Sequence, residues 1–242
     1  MKSIKILLFL LFGVSLNSCF FAVNYGDEDG NGNGNLNTEE RYVNQNFDEI
    51  IGSGGLEIYL TEGSENKIIV EADENLLEII ETTISNGMLT IQTKKNIISS
   101  EAKRVLITFK NLSVVKANSG TTIIGKSIIR NKILTLESSS GATIDMEVFA
   151  KELFTNTSSG ANININVKAT MLYAKTSSGS KLNAKDLNTI NSNIKAHSGS
   201  KIMVTTQNKL EATVSSGGNI QYYGNPNSII KDAGSSGSIK KM

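Results

Sequence analysis

A Ser-Gly pair that returns about every 20 residues is the feature that most restricts how this chain can fold. Periods of this size are typical of stacked structural units, each of which buries its apolar side chains only against the neighbouring unit. The glycines are Gly120, Gly141, Gly160, Gly179, Gly199, Gly217 and Gly237, at intervals of 21, 19, 19, 20, 18 and 20 residues. The second half of the chain is therefore predicted to be a solenoid.

The residues that follow each glycine indicate that the repeating unit is made of strands. The second residue is polar and the third is aliphatic, which is the period-two alternation of a strand. The aliphatic residues are Ile123, Ile144, Ile163, Leu182, Ile202 and Ile220, and the polar ones are Thr122, Thr143, Asn162, Lys181, Lys201 and Asn219. We predict an all-β fold, a right-handed parallel β-helix with coils of about 20 residues.

The Ser-Gly pair is expected to form the corner of each coil. Glycine adopts positive φ angles at low cost, and serine hydroxyls can bond to nearby backbone or to the equivalent serine of the next coil. A β-sandwich or a prism of hairpins also joins short strands with glycine turns, but such folds seldom keep one motif in register over six repeats.

The N-terminus has the layout of a bacterial lipoprotein. Residues 1–18 place two lysines before a short apolar run, as in a signal peptide that is removed from the mature protein. Leu16-Asn17-Ser18-Cys19 resembles a lipobox, and Cys19 is the only cysteine of the chain, so we predict lipid attachment there. The alternative is an ordinary secretory signal with an incidental cysteine. The predicted location is the cell envelope, as an outer-membrane lipoprotein that is periplasmic or surface-exposed.

Residues 19–40 are rich in Gly, Asn and acidic residues and have little to bury, so they are predicted to be a flexible tether. Removal of residues 1–18 takes away two lysines and leaves 22 basic and 23 acidic residues. A net charge near −1 gives no electrostatic basis for binding nucleic acid.

Residues 41–118 are an irregular β region ahead of the regular repeats of residues 119–242. Asn86-Gly87 lies between two alternating segments, which predicts a β-hairpin with a type I′ turn. Two interpretations stay open for this region: degenerate coils with an inserted hairpin, or a small separate capping module.

The chain resembles the head-GIN-domain family in several motifs. These are RYVNQNFDEIIGSGGLEIYLTEG from Arg41, NGMLTI from Asn86, the SGAxI and SGSxI repeats, and YYGNP from Tyr222. This family comprises autotransporter-adhesin-like proteins that are common as secreted or lipid-anchored proteins in Bacteroidetes. The resemblance implies a pectin-lyase-like β-helix without the catalytic residues of that fold, and a role in adhesion.

One polar patch on the outer face of the predicted helix is a candidate binding face for a sugar or a metal ion. Its residues occupy the fourth and sixth positions after successive corner glycines: Asp145, Glu147, Asn164, Asn166, Asn183 and Lys185. An ordinary solvated sheet face is the competing interpretation. No cofactor is predicted.

Two aromatic residues form a second candidate. Phe154 and Tyr173 both lie six residues before a corner glycine, so they are expected on adjacent coils and on the same outer face. They either stack as an apolar rib for a sugar or protein partner, or lie beneath a covering loop. His197 is interpreted as a corner residue, because the serines near it already have a structural role.

The sequence thus predicts a lipid-anchored envelope protein that acts as a non-enzymatic adhesion or binding scaffold, with a membrane contact through Cys19 and a glycan or surface protein as partner. The alternatives are a polysaccharide-active lyase or hydrolase, and a structural component of the envelope.

Overall fold

The computed structural model describes residues 30–234 and 236–242. Cys19, the predicted signal peptide and the first part of the predicted tether lie outside these residues. The described chain consists of strands and one short 3-10 turn at Glu74–Leu76. The strands are β1 (Gly30–Asn31), β2 (Leu36–Arg41), β3 (Glu49–Gly52), β4 (Glu57–Glu62), β5 (Lys67–Asp73), β6 (Ile80–Ser85), β7 (Met88–Thr93), β8 (Ile97–Ser99), β9 (Lys103–Phe109), β10 (Val114–Ala117), β11 (Thr122–Gly125), β12 (Ile129–Ser138), β13 (Thr143–Thr157), β14 (Asn162–Thr176), β15 (Lys181–Ala196), β16 (Lys201–Val214), β17 (Asn219–Tyr223), β18 (Ser228–Ala233) and β19 (Ser238–Lys241).

From β10 onward the strands wind into a parallel β-helix, which confirms the predicted fold class. Each strand pairs in parallel with the strand one coil later in the sequence. Ile144 pairs with Ile163 and Ile163 with Leu182, and all three side chains are buried. The aliphatic residues of successive coils therefore stack into one continuous core.

The six Ser-Gly corners from Ser119-Gly120 to Ser216-Gly217 are tight turns in which both residues adopt positive φ angles. In one of them Ser159 has φ 53° and Gly160 has φ 72°, and the Ala161 amide donates to the Ser158 carbonyl at 3.1 Å. These are the features of a type I′ turn. The Gly160 amide donates to the Ser178 carbonyl of the next coil at 3.0 Å, so the hydrogen-bond ladder continues through the corner.

The irregular N-terminal region belongs to the same helix. Strand β3 pairs in parallel with β10, so that Glu49 lies opposite Val114, 65 residues later. Strand β4 pairs with β11 in the same way. This coil stacks directly on the next one, and a single core cluster extends from Phe47 to Tyr222. The arrangement agrees with coils that carry an insertion rather than with a separate module.

The inserted residues build the N-terminal end of the helix. Strand β7 pairs in parallel with β3, and β9 pairs in parallel with β4, so these two strands extend the stack beyond the first coil. Strand β5 then pairs antiparallel with β9. Strands β6 and β7 form the predicted hairpin around Asn86-Gly87, whose φ angles of 51° and 79° fit the predicted type I′ turn. Antiparallel strands thus cover the edges of the first coil.

The predicted tether is wrong for its last residues, because residues 36–40 are part of strand β2. This strand pairs antiparallel with β5, with Leu36 opposite Asp73 and Arg41 opposite Ile68. Its side chains are almost all exposed, so hydrophobic burial does not hold it. Backbone hydrogen bonds, and ion pairs such as Lys67–Glu40 at 2.9 Å, fix it as the edge strand.

The C-terminal end is a final coil made by β18 and β19. Lys231 in β18 lies opposite the buried Ala212, so it occupies a position where earlier coils carry inward-facing residues. Its ammonium group lies 4.7 Å from the ring centroid of Tyr222. A lysine at such a position discourages a further strand from adding to the open end.

Among the described residues, no helix has the length and apolar character needed to cross a bilayer.

Candidate functional site

Phe154 and Tyr173 form a stacked aromatic pair on an outer face of the helix. They lie directly opposite each other in β13 and β14, and their ring centroids are 4.8 Å apart at an interplanar angle of 9°. Tyr173 is 38% exposed. The pair therefore stacks, which is one of the two interpretations of its sequence position, and Tyr173 is exposed while Phe154 is half-buried.

The aromatic pair lies in a shallow groove of about 450 Å³. This volume is within the range of small-molecule sites. The groove runs across four coils, between two parallel columns of outward-facing residues. One column is Thr135, Phe154, Tyr173 and Asn193, and the other is Glu137, Asn156, Lys175 and Lys195.

The aromatic stack ends after two rings. Phe154 is followed by Thr135 on the preceding coil, and Tyr173 is followed by Asn193 on the next coil. Since neither neighbour is aromatic, the outer face of each ring has no further ring stacked on it. The side chains of Thr135 and Asn193 occupy the next positions of the column, so a bound ring would contact the aromatic pair from the open side of the groove.

The carboxylates at the two ends of the groove are already paired. Glu137 lies 3.4 Å from the ammonium group of Lys116. Glu211 lies 2.6 Å from that of Lys209 and accepts a hydrogen bond from the Asn193 amide group at 2.7 Å. The hydrogen bond that Lys209 donates and the positive charge of Lys209 together lower the pKa of Glu211 below its usual value. Glu211 therefore stays ionised, and the neighbouring charge of Lys209 balances its negative charge.

Lys175 and Lys195 remain as the positive charges of the groove. They lie opposite each other on adjacent coils. Within residues 30–234 and 236–242 no carboxylate lies within 4.0 Å of either ammonium group. These lysines were not among the predicted site residues, although their shared position four residues before a corner glycine was a usable signal.

The predicted polar patch is only partly in register. Asp145, Asn164 and Asn183 form one column, and Glu147 lies opposite Asn166, as predicted. The register between Asn166 and Lys185 is interrupted, because a bulge between the paired residues 183 and 187 inserts one extra residue in β15. The ammonium group of Lys185 lies 5.1 Å from the ring centroid of Tyr223. A role for this patch in binding stays a prediction.

The comparisons with known proteins identify the family. The sequence profile described as "Putative auto-transporter adhesin, head GIN domain" matches residues 46–226, which is more than half of the chain. The chain belongs to the head-GIN-domain family. The resemblance inferred from the sequence motifs is thereby confirmed. Among curated proteins, none matches the chain.

Several solved structures share the fold of this head-GIN protein. A "putative adhesin" from Bacteroides fragilis is 16% identical with a TM-score of 0.83, covering 88% of this chain and 100% of its own. A "putative adhesin" from Parabacteroides merdae is 21% identical with a TM-score of 0.73, covering 89% and 99%. A "putative lipid binding protein" from Parabacteroides distasonis is 19% identical with a TM-score of 0.75, covering 89% and 100%. At these identities the likeness concerns the fold alone.

His197 is a corner residue in this head-GIN protein. Its Nδ1 atom lies 2.7 Å from the hydroxyl of Ser215, the equivalent corner residue of the next coil. The same kind of bond joins the Ser139 hydroxyl to the Asn118 side chain at 2.6 Å. In the part of the chain that the structure describes, no group of three or more His, Cys, Asp or Glu residues could hold a metal ion.

Proposed function

We propose that this protein is a lipid-anchored adhesion scaffold of the bacterial envelope, and that the groove around Phe154 and Tyr173 binds saccharide rings. The observation that carries the proposal is the stacked pair of Phe154 and Tyr173 in an open groove, with the Tyr173 ring exposed to solvent. One side of a pyranose ring is lined by C–H groups, which pack well against an aromatic face. Amide side chains beside the rings, Asn156 and Asn193, are suited to hydrogen-bond the hydroxyl groups at the edge of a sugar.

The rest of the molecule supports adhesion rather than catalysis. The family is described as adhesin-like, and the β-helix presents the groove on a stiff, extended scaffold. Because the groove is open and shallow, one site is expected to bind weakly. Several copies on one cell surface would then engage repeated sugar units together, which raises the overall affinity without any new contact.

The saccharide proposal is tested with purified full-length protein in detergent, screened against an array of neutral and acidic polysaccharides. The double variant Phe154→Ala/Tyr173→Ala should lose at least about tenfold in affinity, because it removes both stacking faces. Phe149→Ala is the matched control, since Phe149 is also exposed but lies between Arg130 and Lys168 on the neighbouring coils. Equal binding by wild type and the double variant would refute the proposed site, and shortened saccharide chains after incubation would favour the enzyme alternative.

The lipid anchor is tested separately by growing cells with a fatty acid that carries an alkyne label. Wild-type protein should take up the label and fractionate with membranes, whereas Cys19→Ala should do neither, because the proposed attachment needs the thiol of Cys19. Label that persists in Cys19→Ala would overturn this part of the proposal.

A further inference from the structure

The groove contains two lysines that lie side by side and can hold one anion between them. Lys175 and Lys195 are direct neighbours in adjacent parallel strands, which lie about 4.8 Å apart. Like charges at directly opposite positions destabilise a sheet. Their other neighbours in the column are Asn156 and Thr213, which carry no compensating charge.

The acidic residues nearby do not supply this compensation. Glu137 and Glu211 have lysine partners of their own, Lys116 and Lys209. Glu152 lies on the same face, two residues before Phe154, but it does not line the groove. The groove therefore keeps an uncompensated positive charge at one end, although the mature chain is close to neutral as a whole.

This charge lies beside the exposed side chain of Tyr173. The groove lining places Lys175, Lys195 and Asn193 together at the end of the stack where Tyr173 has no aromatic neighbour. A sugar ring that packs against Tyr173 from the open side of the groove would have its edge next to the two ammonium groups. A carboxylate or sulfate on that edge would accept charge-assisted hydrogen bonds from both of them.

We infer that the groove selects acidic saccharides, with Lys175 and Lys195 as the specificity-determining residues for a carboxylate or sulfate on the ring that stacks on Tyr173. This inference rests on the proposed saccharide binding and adds its substrate class. Single-stranded nucleic acid also combines flat rings with anions. The near-neutral charge of the mature chain provides no general attraction for it, so an oligonucleotide serves as a probe that should not bind.

The test compares four probes on immobilised full-length protein in detergent: dextran, dextran sulfate, polygalacturonate and a single-stranded oligonucleotide. Dextran and dextran sulfate share one backbone, so their difference isolates the anion, and polygalacturonate separates carboxylate from sulfate. The wild type should bind at least one acidic polysaccharide about tenfold or more tightly than dextran, because hydrogen bonds to charged groups are stronger than neutral ones.

The matched variants distinguish a built site from general attraction of polyanions. Lys175→Ala/Lys195→Ala should lose about tenfold or more in affinity for the acidic probe and keep its binding of dextran. Lys181→Ala/Lys201→Ala is the control, because this pair also lies opposite each other on the same two coils but across the Ser-Gly corner, away from the aromatic stack. The control should bind all probes as the wild type does.

The outcomes separate this inference from the proposed function. If dextran and the acidic probes bind equally well and all depend on Phe154 and Tyr173, the proposed function stands and the acidic specificity is wrong. Equal losses in the two lysine variants, or tight binding of the oligonucleotide, would also overturn the specificity. If no saccharide binds the wild type, both proposals fail together.

Discussion

At the scale of single residues, Asp73 makes the contacts that hold the N-terminal segment on the helix. Its buried carboxylate accepts backbone hydrogen bonds from Gly34 at 2.8 Å, Glu101 at 2.9 Å and Ala102 at 3.2 Å. Burial by itself raises the pKa of Asp73, but these amide donors stabilise the charged form more strongly. The pKa therefore lies below its ordinary value of 3.8.

The variant Asp73→Asn should destabilise the protein at pH 7 by about 2–3 kcal/mol, because one carboxylate satisfies three amides and a neutral amide group cannot. A lowered pKa means that this contribution is complete above the unfolded pKa, near 3.8, and disappears as the pH falls through the lower folded pKa. Urea unfolding of the wild type and of Asp73→Asn at pH 7 and pH 3 measures this contribution. The difference in unfolding free energy between the two proteins should shrink at the lower pH.

Hydrogen exchange provides the matching control for this prediction. The amides of Gly34, Glu101 and Ala102 should lose protection in Asp73→Asn, while the Gly160 amide, which donates to a different coil, should keep it. A variant that is as stable as the wild type at pH 7 would show that strand β2 is held by its backbone pairing alone.

At the scale of elements, the corner shows what the sequence could predict and what it could not. The repeated glycine predicted a positive φ angle, and its conformation at Gly160 confirms this. The same sign at Ser159 was not predicted, because a serine alone rarely adopts that region. The corner is stabilised by the bond from the Gly160 amide to the next coil, which is a long-range contact that local sequence does not reveal.

Strand β2 was missed for a related reason. Its residues show no alternation between apolar and polar side chains that could mark a buried face, and the structure leaves them exposed. The contacts that order this segment come from Asp73 and from the backbone of β5, 27 or more residues away in the chain. A composition rich in Gly, Asn and acids therefore predicted a tether where the fold supplies a partner strand.

The predicted alignment of the candidate-site residues was correct only where the repeat of about 20 residues stays in register. Phe154 and Tyr173 stack, which is one of the two arrangements expected from their shared position, because β13 and β14 pair in register over nearly their whole length. The register that should place Lys185 opposite Asn166 is interrupted, because one extra residue in β15 forms a bulge after Asn183. Intervals that vary between 18 and 21 residues do not reveal where in a coil the extra residue lies.

At the scale of the whole molecule, the chain behaves as a stack in which each coil contacts the coil before and the coil after it. The 65-residue step between β3 and β10 shows this, since a long insertion was accommodated without breaking the stack. Stability in such a solenoid is approximately a sum of coil terms and nearest-neighbour terms. The length of the helix should therefore be adjustable by whole coils.

Removal of residues 161–179, one complete coil, tests this architecture. The variant joins Gly160 to Ser180, so that the Gly160 amide can donate to the Ser198 carbonyl as the Gly179 amide does in the wild type. We expect cooperative unfolding, an unchanged β-type circular dichroism spectrum and a loss of about 1–2 kcal/mol, the share of one coil in the stability of a typical domain. Removal of residues 161–170, about half a coil, should abolish the cooperative transition, because the strands can no longer return to a stacked corner. If the complete-coil variant also fails to fold, the coils are not interchangeable units, and the rigid platform on which Phe154 and Tyr173 are proposed to act must depend on contacts beyond neighbouring coils.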